Sequence, residues 1–284
     1  MPLEKVCTIL KDADKNGYGV AAFNIFNFET IAWAIEAAEE ESMPVIIQFY
    51  PGFDRIFPLS CVSAVTKDLA SKVRVPVGLH LDHSNTVELA IAGMRYGFQS
   101  IMFDGSRLPF EENVKLTAKV VEIAHGLGLE VEGELGHVGS GAVLDDFTNT
   151  NHFTDPDAAV EYVERTGVDS LAISIGNGHG TYVATPNLDF DRIKTINEKV
   201  SAPLVMHGGS DIPDEQMQRS IELGMVKFNI ATEYNRAYVE TMNNLMTAKT
   251  PKWFIFDCME PAKAPVKEFL RSKIALLNPK SYKV

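Results

Sequence analysis

With 284 residues and 45% apolar content, the chain is long enough for one large buried core and has the composition of a soluble globular protein. Its formal net charge of −12 argues against nucleic acid and membrane as partners, since an acidic surface repels phosphate backbones and anionic lipid. Three scattered cysteines (Cys7, Cys61, Cys258) form no disulfide framework or metal knuckle, and neither an apolar signal core at the start nor a run of ~18 apolar residues occurs, so a reduced, cytoplasmic protein is expected.

In chain order, short apolar runs alternate with helical patterns. The first run, 19–24, leads into a pattern over 29–41 with Ile31, Ala34, Ile35 and Ala38 on one side. Runs at 44–49, 76–82 and 99–104 follow, then a pattern over 111–125 for which Gly126 is a fitting stop. Run 129–135 precedes a helix over 156–166, capped by Asp155 and ended by Gly167. Runs 169–175 and 203–207, a helix over 212–223 and run 226–230 complete the series, with two more helices over 232–247 and 262–277. Eight apolar runs alternating with helices predict one α/β domain over residues 1–284, a (β/α)8 TIM barrel with an additional C-terminal helix. A doubly wound sheet competes, but its GxGxxG fingerprint is missing after the first run.

Active sites of such barrels lie at the C-terminal ends of the strands. Those ends carry Asn24, the HLDH of His80, Asp82 and His83, then Asp104, Glu134, the GNGHG of His179, the HGGS of His207, and Asn229. One histidine alone would read as a core or surface residue; the set together reads as a metal site. His83, His179 and His207 offer three neutral nitrogens and leave a fourth tetrahedral position open for a substrate ketone oxygen. Strand alternation predicts that Asp82 points away from its neighbour His83, free to act as acid or base; the competing role is to orient His83. Gly208, Gly209 and Ser210 after the seventh run, and the segment following the eighth, sit where barrels bind phosphate.

The motifs AFN, HLDH, FDGS, VEGELG, GNGHG, HGGS and KFNIATE, in this order and spacing over about residues 5–240, resemble the class II fructose/tagatose-bisphosphate aldolases. The resemblance implies a zinc-dependent lyase that cleaves a ketose 1-phosphate or 1,6-bisphosphate to dihydroxyacetone phosphate and an aldehyde through a metal-stabilised enediolate. It implies zinc on His83, His179 and His207, proton exchange at the C4 hydroxyl by Asp82, and a homodimer or homotetramer. It places the substrate against Asn24, Gly180, Gly208, Gly209, Ser210, Asn229, Ile230, Ala231 and Thr232. Asp104 and Glu134 match positions that hold a second or a monovalent cation in relatives, with support of the zinc ligands as their competing role.

The chain also departs from that family. The loop after the fifth run has Ala142 and Val143 where relatives carry an acidic pair; Asp145 and Asp146 follow and either swing in to handle the C3 proton or form a solvated turn. Gln48, Phe49, Tyr50 and Phe53 replace a Ser–Gly turn near the aldehyde end, so a sulfonate or uncharged tail becomes conceivable, with Arg55 or Arg107 available for an anion. Asp211 stands where many relatives have Gly, as in tagatose-type members. Lys227 shares parity with Asn229 and invites a Schiff-base reading; a buried ion pair with Glu132 is the favoured alternative. A zinc hydrolase and a non-catalytic sugar-phosphate sensor are the competing functions.

Overall fold

The computed structural model describes residues 3–248 and 254–284. Eight parallel strands close into a barrel in chain order: β1 (Val20–Asn24), β2 (Val45–Phe49), β3 (Val77–Ser84), β4 (Ser100–Phe103), β5 (Glu130–Leu135), β6 (Ser170–Ile173), β7 (Leu204–Met206) and β8 (Met225–Ile230). Helix α1 (Val6–Asn16) precedes β1, and α2 (Phe28–Glu41), α3 (Leu59–Ala70), α4 (Val87–Tyr96) and α5 (Phe110–Gly126) follow β1 to β4. The short α6 (Leu144–Thr148) and α7 (Pro156–Thr166) follow β5, α8 (Phe190–Lys199) follows β6, and α9 (Asp214–Glu222) follows β7. Two helices, α10 (Thr232–Met246) and α11 (Phe256–Leu276), follow β8. All eight apolar runs are strands, and β8 closes on β1 through Val20 opposite Lys227 and Ala22 opposite Asn229. Among the described residues, no helix is long and apolar enough to cross a membrane.

The strands alternate between two kinds of burial. Leu79, Leu81, Val131, Val226 and Phe228 belong to the apolar core beneath the helices. Between them lie His80, Glu132 and Lys227, all completely buried, so the barrel interior holds charged and polar groups beside apolar ones such as Met102 and Val205. Helix α1 lies across the N-terminal mouth: Cys7 N donates to Glu130 at the start of β5 (3.0 Å), and Val6 and Ile9 press on Gly78 in β3.

Helix ends depart from the sequence reading at α5 and α11, and α9 begins at Asp214 rather than at residue 212. Gly126 is the last helical residue of α5 rather than its stop; the chain turns at Gly128, whose φ of +72° favours glycine. Helix α11 begins at Phe256, not at residue 262, and runs through Pro261 and Pro265. An interior proline costs roughly 3 kcal/mol, and the stripe Cys258, Ala262, Val266, Leu270 and Ile274, buried at every fourth position, offsets that cost. Ion pairs from Lys263 to Glu36 (2.7 Å) and from Arg271 to Glu41 (2.6 Å) fasten α11 to α2 on the barrel's flank. Phe254, Ile255 and Phe256, at the start of α11, are exposed.

Candidate active site

At the C-terminal mouth a cavity of about 620 Å³ opens among the β2, β3, β4, β6, β7 and β8 loops. Strand β3 brings two adjacent residues into it. Its pairing with β4 shifts between Leu81 and Ser84, and His83 takes a φ of +42° in the left-handed region. That bulge breaks the alternation of side chains, so Asp82 and His83 both line the cavity. The expectation that Asp82 points away from His83 is therefore corrected. A strained non-glycine residue of this kind persists only where its surroundings demand it.

The imidazoles of His83, His179 and His207 come from three separate strand ends and converge, with ring centroids 4.7–5.7 Å apart. One nitrogen of each falls within 4.8 Å of the others, and His83 Nε2 is 3.0 Å from His207 Nδ1. A tetrahedral zinc with bonds near 2.0–2.1 Å sets its ligands about 3.3 Å apart. The nitrogens that face away from the meeting point are each held by an oxygen. His83 Nδ1 is 2.9 Å from Asp104 Oδ2, His179 Nδ1 3.2 Å from the Val138 carbonyl, and His207 Nε2 2.9 Å from Glu132 Oε1. Such outer partners set the tautomer of a metal-binding histidine. His179 Nε2 is buried with no partner. Burial alone would keep all three rings neutral; the carboxylates of Asp82, Asp104 and Glu134 overcome it at His83, which is pushed up to about 10. The meeting point thus draws positive charge, and the donor set fits a divalent cation.

Asp82 and Asp104 divide two tasks that the sequence left open between them. Asp104 orients His83 through Oδ2, and its Oδ1 accepts from Ser106 N and Oγ at 3.1 and 2.7 Å. Asp82 makes no hydrogen bond to His83. Its Oδ2 accepts from Asn24 Nδ2 at 2.8 Å, and its Oδ1, buried and without a partner, lies 3.8 Å from His83 Nε2. Asn24 is held in turn by Gln48 Nε2 (3.0 Å). Gln48 and Phe49 are fully buried; of the four residues placed near the aldehyde end, Tyr50 and Phe53 line the cavity. Glu134 Oε2 is unpartnered and 3.9 Å from His207 Nδ1, and with His83 and Asp104 Glu134 forms a second group able to hold a cation.

Opposite β4, the β7 and β8 loops supply Gly208, Ser210, Asn229, Ala231 and Thr232 to the wall, and Gly180 joins them from the β6 loop. Thr232 opens α10, so a helix N-terminus faces the cavity, a favourable end for phosphate. Gly209 and Ile230 stand apart from this group: the Gly209 N–H is spent on the Asn229 carbonyl (3.0 Å), and Ile230 is buried in the core. Gly208 has φ +62°, and a Cβ there would lie 2.1 Å from the Gly178 carbonyl oxygen. Gly208→Ala is expected to destabilise the protein by ~2–4 kcal/mol, read as a lowered urea midpoint, because left-handed strain and a backbone clash add. Asp211, at φ +60°, pairs both oxygens with Arg236 (2.5 and 3.1 Å), which shows why glycine or aspartate suits this position.

Several contacts could not be read from sequence spacing. Tyr182 Oη accepts from Gly178 N (2.7 Å) and donates to the Gly208 carbonyl (2.9 Å), and Asn177 Nδ2 donates to the His207 carbonyl (2.9 Å). Neither Asp145 nor Asp146 lines the cavity: Asp145 is exposed beside Asn149, and Asp146 accepts from Ser140 N (2.7 Å). Arg55 is not in the wall, whereas Arg107 is. Lys227 is wholly buried, 2.8 Å from Glu132, away from the cavity, as an ion pair requires and a Schiff base does not.

Residues 4–281 match the family described as class-II fructose-bisphosphate aldolase. The chain belongs to this family. It is 44% identical over 226 residues to the Escherichia coli K12 protein YdjI, covering 80% of this chain and 81% of that one. The crystal structure of the YdjI aldolase superposes with a TM-score of 0.87 at 36% identity, over 99% of this aldolase and 100% of the other. A putative fructose-1,6-bisphosphate aldolase from Coccidioides immitis superposes at 0.85 with 28% identity, over 98% of each chain. This aldolase is accordingly a carbon–carbon lyase.

Proposed function

We propose that this aldolase depends on zinc held by His83, His179 and His207, and cleaves a fructose- or tagatose-type ketose 1-phosphate to dihydroxyacetone phosphate and an aldehyde with an anionic tail. The observation that carries the reading is the convergence of three imidazoles whose outward nitrogens are all held by oxygens. Zinc, when held there, supplies a Lewis acid that polarises the C2 carbonyl and stabilises the charge that cleavage leaves on C3. Asp82 takes the C4 hydroxyl proton through Oδ1, the oxygen without a partner, while Asn24 and Gln48 hold its carboxylate in place. Gly180, Gly208, Ser210, Ala231 and Thr232 take the phosphate at the mouth of β7 and β8. Asp104 supports His83, and with Glu134 it offers the place for a second cation.

A substrate anchored at β7 and β8 extends across the barrel toward β4, which lies opposite β8 in the closed order. There Arg107 is the one arginine or lysine in the cavity wall among the described residues. Its position supports an anionic tail, whether phosphate, sulfonate or another acid. Arg107→Ala is expected to raise KM for anion-tailed ketose 1-phosphates roughly tenfold, the worth of an exposed charged hydrogen bond, and to leave neutral-tailed ones unchanged. The assay is dihydroxyacetone phosphate release over a panel of both kinds. Equal losses across the panel would remove Arg107 from substrate selection, and full turnover in chelator-stripped protein would remove zinc from the reaction.

A further inference from the structure

Lys227 and Glu132 take no part in the steps above and do not line the cavity, yet both are completely buried. They come from β8 and β5, which are not neighbours, so their 2.8 Å contact crosses the barrel interior. Burying two charges is expensive, and apolar residues of similar volume commonly serve packing as well or better. Filling space therefore does not account for the pair.

Glu132 has a second contact. Its Oε1 lies 2.9 Å from His207 Nε2, while Oε2 lies against Lys227. A carboxylate compensated by an ammonium group only accepts, so the neutral ring must carry its proton on Nε2 and leave Nδ1 bare. Nδ1 is the atom 3.0 Å from His83 Nε2. Asn229 presents Nδ2 3.1 Å from the same Nε2 while its own Oδ1 has no partner; turning the amide over would set that oxygen beside the Nε2–H, to share it with Glu132, in place of a donor facing a donor.

We propose that Lys227 and Glu132 are positioning residues, which lock His207 in the Nε2–H tautomer so that its Nδ1 completes the divalent-cation site with His83 and His179. The inference rests on the reading of that site given above, and the test separates the two. Zinc affinity is measured by competition with a chromophoric chelator, alongside the melting temperature of the metal-free protein. Glu132→Leu combined with Lys227→Met removes both charges together. Its metal-free melting temperature should hold or rise, while its zinc dissociation constant rises about 10–100-fold. Glu132→Gln, whose carbonyl still accepts from Nε2, should lose less. The ¹⁵N resonances of His207 in metal-free wild-type protein should show Nε2 protonated and Nδ1 bare, a result that does not depend on any variant folding. Unchanged zinc affinity in the double variant, or a proton on Nδ1 in the wild type, would overturn the inference alone. Wild-type protein that binds no zinc would overturn the reading of the site and this inference with it.

Discussion

With zinc on the three histidines as proposed, His179→Ala is expected to lower kcat/KM for aldol cleavage by ~10³-fold or more and to leave the metal-free protein as stable as the parent. The size follows from losing a Lewis acid worth several kcal/mol at the developing charge, with each 1.36 kcal/mol a factor of ten in rate. Among the three histidines this one separates chemistry from folding. His207 is buried and tied to Glu132, and His83 holds Asp104 on a strained turn, so truncating either disturbs its neighbours. His179 is half-buried, its Nδ1 makes one 3.2 Å contact with the Val138 carbonyl, and its Nε2 makes none. The loop that carries it is pinned independently, through backbone bonds from His179 N to Gly139 O (2.8 Å) and from Gly141 N to His179 O (2.7 Å). Activity, bound zinc and the metal-free melting temperature measured together check the prediction. A variant that keeps stoichiometric zinc and full turnover would remove His179 from the site.

Asp82→Asn separates two proton transfers. Amide for carboxylate keeps the shape and can still accept from Asn24, so the wall should stay in place. It cannot take the C4 hydroxyl proton, and general base catalysis of this kind contributes typically 10²–10⁴-fold, so cleavage should fall by about that factor. Exchange of the C3 hydrogen of dihydroxyacetone phosphate with solvent involves no C4 oxygen and should survive. Detritiation of labelled dihydroxyacetone phosphate, set beside the rate of ketose cleavage, reads both. If the variant lost exchange and cleavage together, Asp82 would belong to the C3 transfer or to the cation site rather than to the C4 hydroxyl.

The pattern carried by local chemistry is legible in the sequence by itself. Apolar runs such as 76–82 and 226–230 alternate with helices because a parallel barrel buries the outward side of every strand under one, and that requirement is written into each segment separately. The polar residues at strand ends were legible for the same reason, since a barrel gathers those ends at one mouth wherever they lie in the chain. Contacts between distant segments, and breaks in local regularity, were decided only in three dimensions. The bulge at His83 turned two neighbours to one side, Glu132 reached across from β5 to His207, and Asp146 turned back to cap Ser140 instead of entering the cavity. Periodicity fixes which side of its own element a residue faces; it carries no information about a partner 75 positions away, such as His207 for Glu132. That choice is made when the barrel closes and each buried polar atom must find the acceptor or donor that closure leaves within reach.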